Sequence, residues 1–169
     1  MTITYRDASP PDAAALDCIF DTSFCDTFAH LYRPEDLNAF LSGFGVADWE
    51  EQLKDQAYAF RVGEADGEPV GYIKLGPMKL PVETDRRALL LDQLYILKDH
   101  HGVGIAHGLM DWALAEARGR GAEELYLTVY VDNHRARRFY DRYGFEAVGR
   151  YDFMVGEQAD QDIIMRKLL

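Results

Sequence analysis

The chain lacks an excess of basic charge. It carries 29 acidic against 18 basic residues, a formal net charge of −11. Nucleic-acid binding needs a basic face, so no nucleic-acid partner is expected. Long hydrophobic runs are missing as well. Nothing approaches the ~20 apolar residues of a membrane-spanning helix, and no charged-then-apolar leader opens the sequence. The expectation is a cytoplasmic protein with no membrane partner. Cysteine is scarce, with Cys18 and Cys25 alone, seven residues apart in a segment that reads as helix. At ~1.5 Å rise per residue they stand roughly 10 Å apart, beyond the ~7 Å reach of a disulfide. They read as reduced core residues of a reducing compartment. No repeat, low-complexity tract or linker divides residues 1–169, which are read as a single domain.

What is present suits one packed core, since 48% of residues are hydrophobic and 28% charged. Ile3 to Arg6 alternates as a first strand. Ser9-Pro10-Pro11-Asp12 is a helix start, with a capping serine, prolines in the first turn and an acid facing the dipole. Leu16, Ile19, Phe20, Ser23, Phe24 and Phe28 follow helical spacing, Pro34 to Leu41 opens a second helix, and Trp49 to Leu53 gives one or two further turns. Ala57 to Gly63 and Val70 to Leu75 are strands joined across Asp66-Gly67, a hairpin signal. Ala88 to Leu97 is an apolar strand interrupted by Asp92 and Gln93. A helix runs from Gly104 to Gly119, then come a strand through Leu125, Leu127 and Val129, a helical stripe from Ala136 to Tyr143, and two closing strands, Phe145 to Tyr151 and Asp162 to Leu168. Strands with helices inserted predict an α/β (α+β) domain.

One segment carries chemistry. His101-Gly102-Val103-Gly104-Ile105-Ala106 stands between a strand and a helix, where unpaired N–H groups and the positive end of the dipole suit a phosphate. It is not a Walker loop, because no Gly-Lys-Ser/Thr follows. It is not a dinucleotide fingerprint either, because the third glycine is missing. His100, His101 and His107 do not read as a metal site: adjacent histidines diverge, and no patterned cysteine or carboxylate accompanies them.

These residues resemble the GNAT acetyltransferase family, whose pyrophosphate motif runs Gln/Arg-x-x-Gly-x-Gly/Ala. Leu94-Tyr95-Ile96 matches the preceding strand, Gly104 the first motif glycine and Ala106 the last position. His101 departs from the family's glutamine or arginine. Downstream, Asn133-His134-Arg135-Ala136-Arg137-Arg138-Phe139-Tyr140-Asp141-Arg142-Tyr143-Gly144-Phe145 resembles Asn-x-x-Ala-x-x-Phe-Tyr-x-x-x-Gly-Phe of the same family. Three further pieces look like bacterial spermidine/spermine acetyltransferases of the PaiA type: Thr27 to Tyr32, Val70 to Lys74, and a tail running from Phe153-Met154-Val155-Gly156 through Asp162 to Met165.

The resemblance implies a GNAT fold, a twisted, mixed, mostly antiparallel sheet of about seven strands flanked by about four helices. It implies acetyl-CoA as co-substrate, with no metal, and transfer of the acetyl group to a primary amine by direct attack in a ternary complex. The strand ending at Ile96 parts from its neighbour, and Leu94, Tyr95 and Ile96 bind pantetheine and thioester through the gap. His101, Gly102, Val103, Gly104, Ile105, Ala106 and His107 hold the pyrophosphate, and Asn133 contacts the cofactor. Tyr140 is the general acid, because a phenol of pKa ~10 stays protonated at neutral pH and can quench a thiolate. The base is expected at Asp92, which reads equally as a solvated residue. Many relatives carry glutamate where Leu90 stands here. Phe28 and Tyr32 are assigned to the amine pocket, and Arg135, Arg137 and Arg138 read as a solvated helix face. A small-molecule polyamine is the favoured acceptor, the acidic charge being compatible with a cation, and homodimerisation is left open. The alternatives are acetylation of a protein N-terminus or amino-acid derivative, a non-catalytic acyl-CoA sensor, and an interaction module.

Overall fold

A computed structural model describes residues 1–169. Seven strands form one sheet: β1 (Ile3–Asp7), β2 (Ala59–Ala65), β3 (Glu68–Pro77), β4 (Ala88–Ile96), β5 (Glu124–Tyr130), β6 (Glu146–Val155) and β7 (Gln158–Leu168). The helices are α1 (Ala13–Phe28), α2 (Pro34–Ser42), α3 (Val46–Lys54), α4 (Ile105–Gly119) and α5 (His134–Arg142). Strand order is β1-β2-β3-β4-β5-β7-β6. Every pairing is antiparallel except β4 with β5. The expected sheet is therefore found. The helices number five rather than about four, because the Trp49 segment extends to a nine-residue helix.

The hairpin between β2 and β3 turns on Asp66 and Gly67 with φ of 50° and 84°, the paired positive values of a two-residue turn. At the N-terminus, Pro10–Asp12 forms a 3₁₀ turn, and α1 begins only at Ala13. The Ser9 hydroxyl does not cap it. Asp12 instead accepts the Ser9 backbone N–H at 2.8 Å, held in place by Arg6, whose guanidinium pulls the Asp12 carboxyl below its usual range.

Two cores sandwich the sheet. On one face α4 buries Ile105, Leu109, Met110, Ala113, Leu114 and Ala117 against Ile73, Leu75, Leu125, Leu127 and Met165. Each fully buried aliphatic side chain contributes ~1.5–3 kcal/mol, so this helix is held by packing rather than propensity. The other face is aromatic: Phe20, Phe24, Tyr32, Trp49, Phe60 and Tyr72 pack with Leu16, Ile19 and Val62. The cysteines of α1 do not join that core. Cys18 is exposed and Cys25 half-buried, because the stripe Leu16, Ile19, Phe20, Ser23, Phe24 takes the inward positions and leaves both residues off it.

What positions the site is where β4 and β5 stop pairing. The parallel ladder holds only Ala88–Leu90 against Glu124–Tyr126. Beyond it the strands part. In the same stretch a bulge puts Lys74 opposite Gln93 and Leu75 opposite Leu91, so Asp92 has no partner on β3.

Candidate active site

A cleft of about 650 Å³ fills the opening between the two strands. Leu91 to Ile96 line one wall, and Leu127 to Tyr130 with Asp160 and Asp162 line the other. The glycine loop closes one end. Phe24, Phe28, Tyr32 and Phe153 gather toward the other.

At the loop end, Gly102 and Gly104 have φ of 79° and 91°, left-handed values that glycine adopts without the Cβ penalty. A Cβ at either would meet nothing within 4 Å, so backbone conformation rather than crowding requires glycine here. The N–H groups of Gly102 through His107 have no acceptor within the protein. Six free donors at the start of α4 suit a doubly charged diphosphate. This fits the pyrophosphate of a coenzyme A group.

The side chains around this loop differ from the sequence reading. His101 has both ring nitrogens engaged: Nε2 lies 2.8 Å from the Ile96 carbonyl, and Nδ1 meets the Arg135 guanidinium. With Arg135 donating, Nδ1 is the acceptor and Nε2–H the donor, so the ring braces the loop, while the His101 backbone N–H donates to the Lys98 carbonyl at 3.2 Å and the free amides begin at Gly102. Arg135 is solvent-exposed, as a solvated helix face implies, but it also reaches onto the loop and lines the cleft with Arg142. Arg137 donates to the Val131 carbonyl at 2.8 Å. His107 Nδ1 lies 3.1 Å from the Tyr143 hydroxyl, which donates to Asp111 at 2.9 Å. Burial and Asp111 push the Tyr143 phenol up to about 12. Asn133 caps α5, its Oδ1 accepting the Ala136 N–H at 3.3 Å, and also lines the cleft.

Tyr140 is 8% exposed, so it packs in the α4 core with Phe139 and Phe145, yet it also lines the cleft. Its hydroxyl makes no hydrogen bond within the protein, and burial pushes the phenol well above its ordinary value. A proton on this oxygen is therefore retained and free to be aimed at a ligand. Tyr95, across the cleft, is likewise raised by burial and by the neighbouring Tyr140, Asp92 and Asp162. All four line the cleft.

Asp92 is not solvated, its side chain being 14% exposed. Oδ2 pairs with Lys74 at 3.0 Å and Oδ1 with Lys79 at 3.3 Å. Lys74 is itself buried, its Nζ lying 5.3 Å from the ring centres of Phe44, Trp49 and Tyr58. Burial pushes the Lys74 ammonium down in pKa, and Asp92 opposes that. Asp92 thus ties the β4 bulge to an aromatic-lined cation, with each oxygen taken by an ammonium. Leu90, where many relatives carry glutamate, packs with Leu80, Tyr126 and Ile164.

At the aromatic end Phe28 and Tyr32 line the cleft. Phe28 meets Tyr130 edge-on at 6.1 Å, and Tyr32 stacks on Phe24 at 6.0 Å. The Tyr32 hydroxyl donates to Asp160. Two carboxylates escaped the sequence reading: Asp160 and Asp162, on the cleft face of β7. Their signal was present, since they alternate with Gln161 ahead of the apolar Ile163-Ile164-Met165, but nothing in one sequence says which strand lies beyond β5 at the gap.

A family model described as the acetyltransferase (GNAT) family matches residues 24–145. A protein of Mycobacterium tuberculosis named as an uncharacterized N-acetyltransferase is 35% identical over 133 residues, covering 78% of this chain and 81% of that one. Among solved structures, a PaiA N-acetyltransferase from Thermoplasma acidophilum in complex with coenzyme A superposes with a TM-score of 0.80, at 21% identity and over 100% of both chains. A ribosomal-protein-alanine N-acetyltransferase from Brucella melitensis gives a TM-score of 0.75 at 25% identity, over 98% of this chain and 99% of that one. The chain belongs to the GNAT family of acetyltransferases. It is an acetyl-CoA-dependent N-acetyltransferase.

Proposed function

We propose that residues 1–169 act as one domain that transfers the acetyl group of acetyl-CoA to a primary amine of a small cationic molecule, a polyamine being the favoured acceptor. The observation that carries this reading is the polarity of the cleft. Arg135, Arg142 and the free amides gather at the loop end, whereas Asp160 and Asp162 face the aromatic end without a cation of their own. An amine that is protonated at neutral pH complements the second set.

Acetyl-CoA supplies an activated acyl group when bound. The backbone of Leu94, Tyr95 and Ile96 then orients the acyl chain in the gap, since β4 beyond Leu90 has no β5 partner to satisfy its outward groups. The loop amides of Gly102 to His107, with Arg135, hold the diphosphate. Phe28 and Tyr32 wall the amine and exclude water. Tyr140 holds the proton that the leaving sulfur requires, and its unpaired hydroxyl supports that role. The absence of a crossing-length apolar helix is compatible with a cytoplasmic setting.

The test is a panel of putrescine, spermidine, spermine and a peptide with a free N-terminus, assayed with acetyl-CoA by release of free thiol. Turnover of a polyamine with the highest kcat/KM supports the reading, and turnover of the peptide alone replaces it with N-terminal acetylation. That second reading draws on the likeness to the Brucella enzyme. A non-catalytic sensor would bind acetyl-CoA and turn over nothing.

A further inference from the structure

The family's usual carboxylate position holds Leu90, and both oxygens of Asp92 are spoken for. A primary amine of pKa ~10.4 is overwhelmingly protonated at pH 7, so the reaction still needs a group to accept that proton. On the wall opposite β4 stands a carboxylate in a different situation. Asp162 is 7% exposed, lines the cleft, and pairs with no lysine, arginine or histidine.

We infer that Asp162 is the catalytic base: resting on the amine-acetyltransferase reading above, it receives the proton of the acceptor ammonium in the gap between β4 and β5. Its placement follows from register. On β7 it stands opposite Tyr130 of β5 and Tyr151 of β6. The charged and titratable groups facing it are Asp160 on its own strand, Tyr130 on β5 and Tyr95 on β4. Thr128 of β5 lies close enough for its hydroxyl to favour the charged form. None of these is a cation, so an incoming ammonium is the natural counter-charge. Burial and Asp160 push the carboxyl up to about 7, against the opposing pull of Thr128. A base poised there exchanges protons readily at neutral pH. Asp160, held by Tyr32 one position-pair along the same face, adds a second negative site where another ammonium of the same molecule fits.

The step balances as follows. The acceptor enters as R–NH3⁺, and Asp162 takes one proton to leave R–NH2. The nitrogen lone pair forms the C–N bond at the thioester carbonyl, and the C–S bond breaks. The departing sulfur takes the Tyr140 hydroxyl proton, and the surplus proton on nitrogen returns to the Tyr140 oxygen. Asp162 releases its proton to solvent, so the products are amide, coenzyme A thiol and one H⁺.

The experiment is the pH dependence of kcat/KM for Asp162→Asn against the unaltered protein, using whichever amine of the panel is turned over fastest. The unaltered protein should show a rising limb centred near 7. The variant should lose ~10²–10⁴-fold at pH 7 and climb without that inflection toward the amine's own pKa of ~10, with calorimetric affinity for acetyl-CoA retained. Thr128→Val gives a milder check, since removing the hydroxyl that favours the charged form should move the inflection upward in pH while turnover persists. An Asp162→Asn enzyme that keeps the rate and the inflection overturns the assignment, as does an unmoved inflection in Thr128→Val. If the unaltered protein acetylates no amine of the panel, the amine reading fails and this inference falls with it. Turnover by the unaltered protein with an indifferent variant removes Asp162 alone.

Discussion

The two ends of the cleft are built on opposite principles. At the loop end the polar groups left unpaired are backbone amides, fixed by the left-handed Gly102 and Gly104 and braced by His101 against Ile96. At the aromatic end the groups lining the cleft are side chains, Phe28, Tyr32, Asp160 and Asp162, delivered by α1, the turn after it and β7. A backbone cradle recognises a constant diphosphate and tolerates wide change in sequence. A side-chain pocket changes its ligand with each substitution. One fold can therefore keep one co-substrate and vary its acceptor.

The sharpest way to break that contrast is at the point where the ends meet. Tyr140→Phe should lower kcat by ~10²–10⁴-fold while leaving acetyl-CoA affinity in calorimetry unmoved. An unaltered rate would remove Tyr140 as the acid. The acceptor end should also show an energetic signature that the loop end lacks. An acid whose folded pKa is raised from 3.8 to about 7 contributes stability below ~4 and loses it as pH climbs to 7. Asp162→Asn should therefore stabilise the protein by on the order of 2–4 kcal/mol at pH 8 and by little at pH 4, read by denaturant unfolding. A difference independent of pH would contradict the burial of a charge there.

Smaller effects should sort by end. Arg135→Ala should weaken acetyl-CoA binding ~10-fold, less at high salt, with KM for the amine unchanged. Tyr32→Phe removes the hydroxyl that positions Asp160 and should raise the amine's KM ~2–5-fold with acetyl-CoA affinity intact. If either change crossed to the other ligand, the division of labour would be wrong.

The loop end was largely legible in the sequence, because glycines at left-handed positions and a helix start are local signals. His101 and Arg135 were not. Their roles come from a contact across 34 residues that joins the loop to α5. Asp92 shows the same limit. A lone acid in an apolar strand suggests chemistry, yet the fold brings Lys74 and Lys79 onto it and makes it an anchor of the bulge. The helical spacing of α1 was correct, whereas the assignment of Cys18 and Cys25 to the core overlooked that the inward stripe was already filled.

Order of strands and helices along the chain and the glycine loop ahead of α4 follow from the sequence alone, because each rests on neighbours within a few residues. Which carboxylate stands free at the gap was decided by tertiary structure. Asp92 and Asp162 are both acids in strands, and what separates them is whether a lysine from another strand arrives to neutralise the charge.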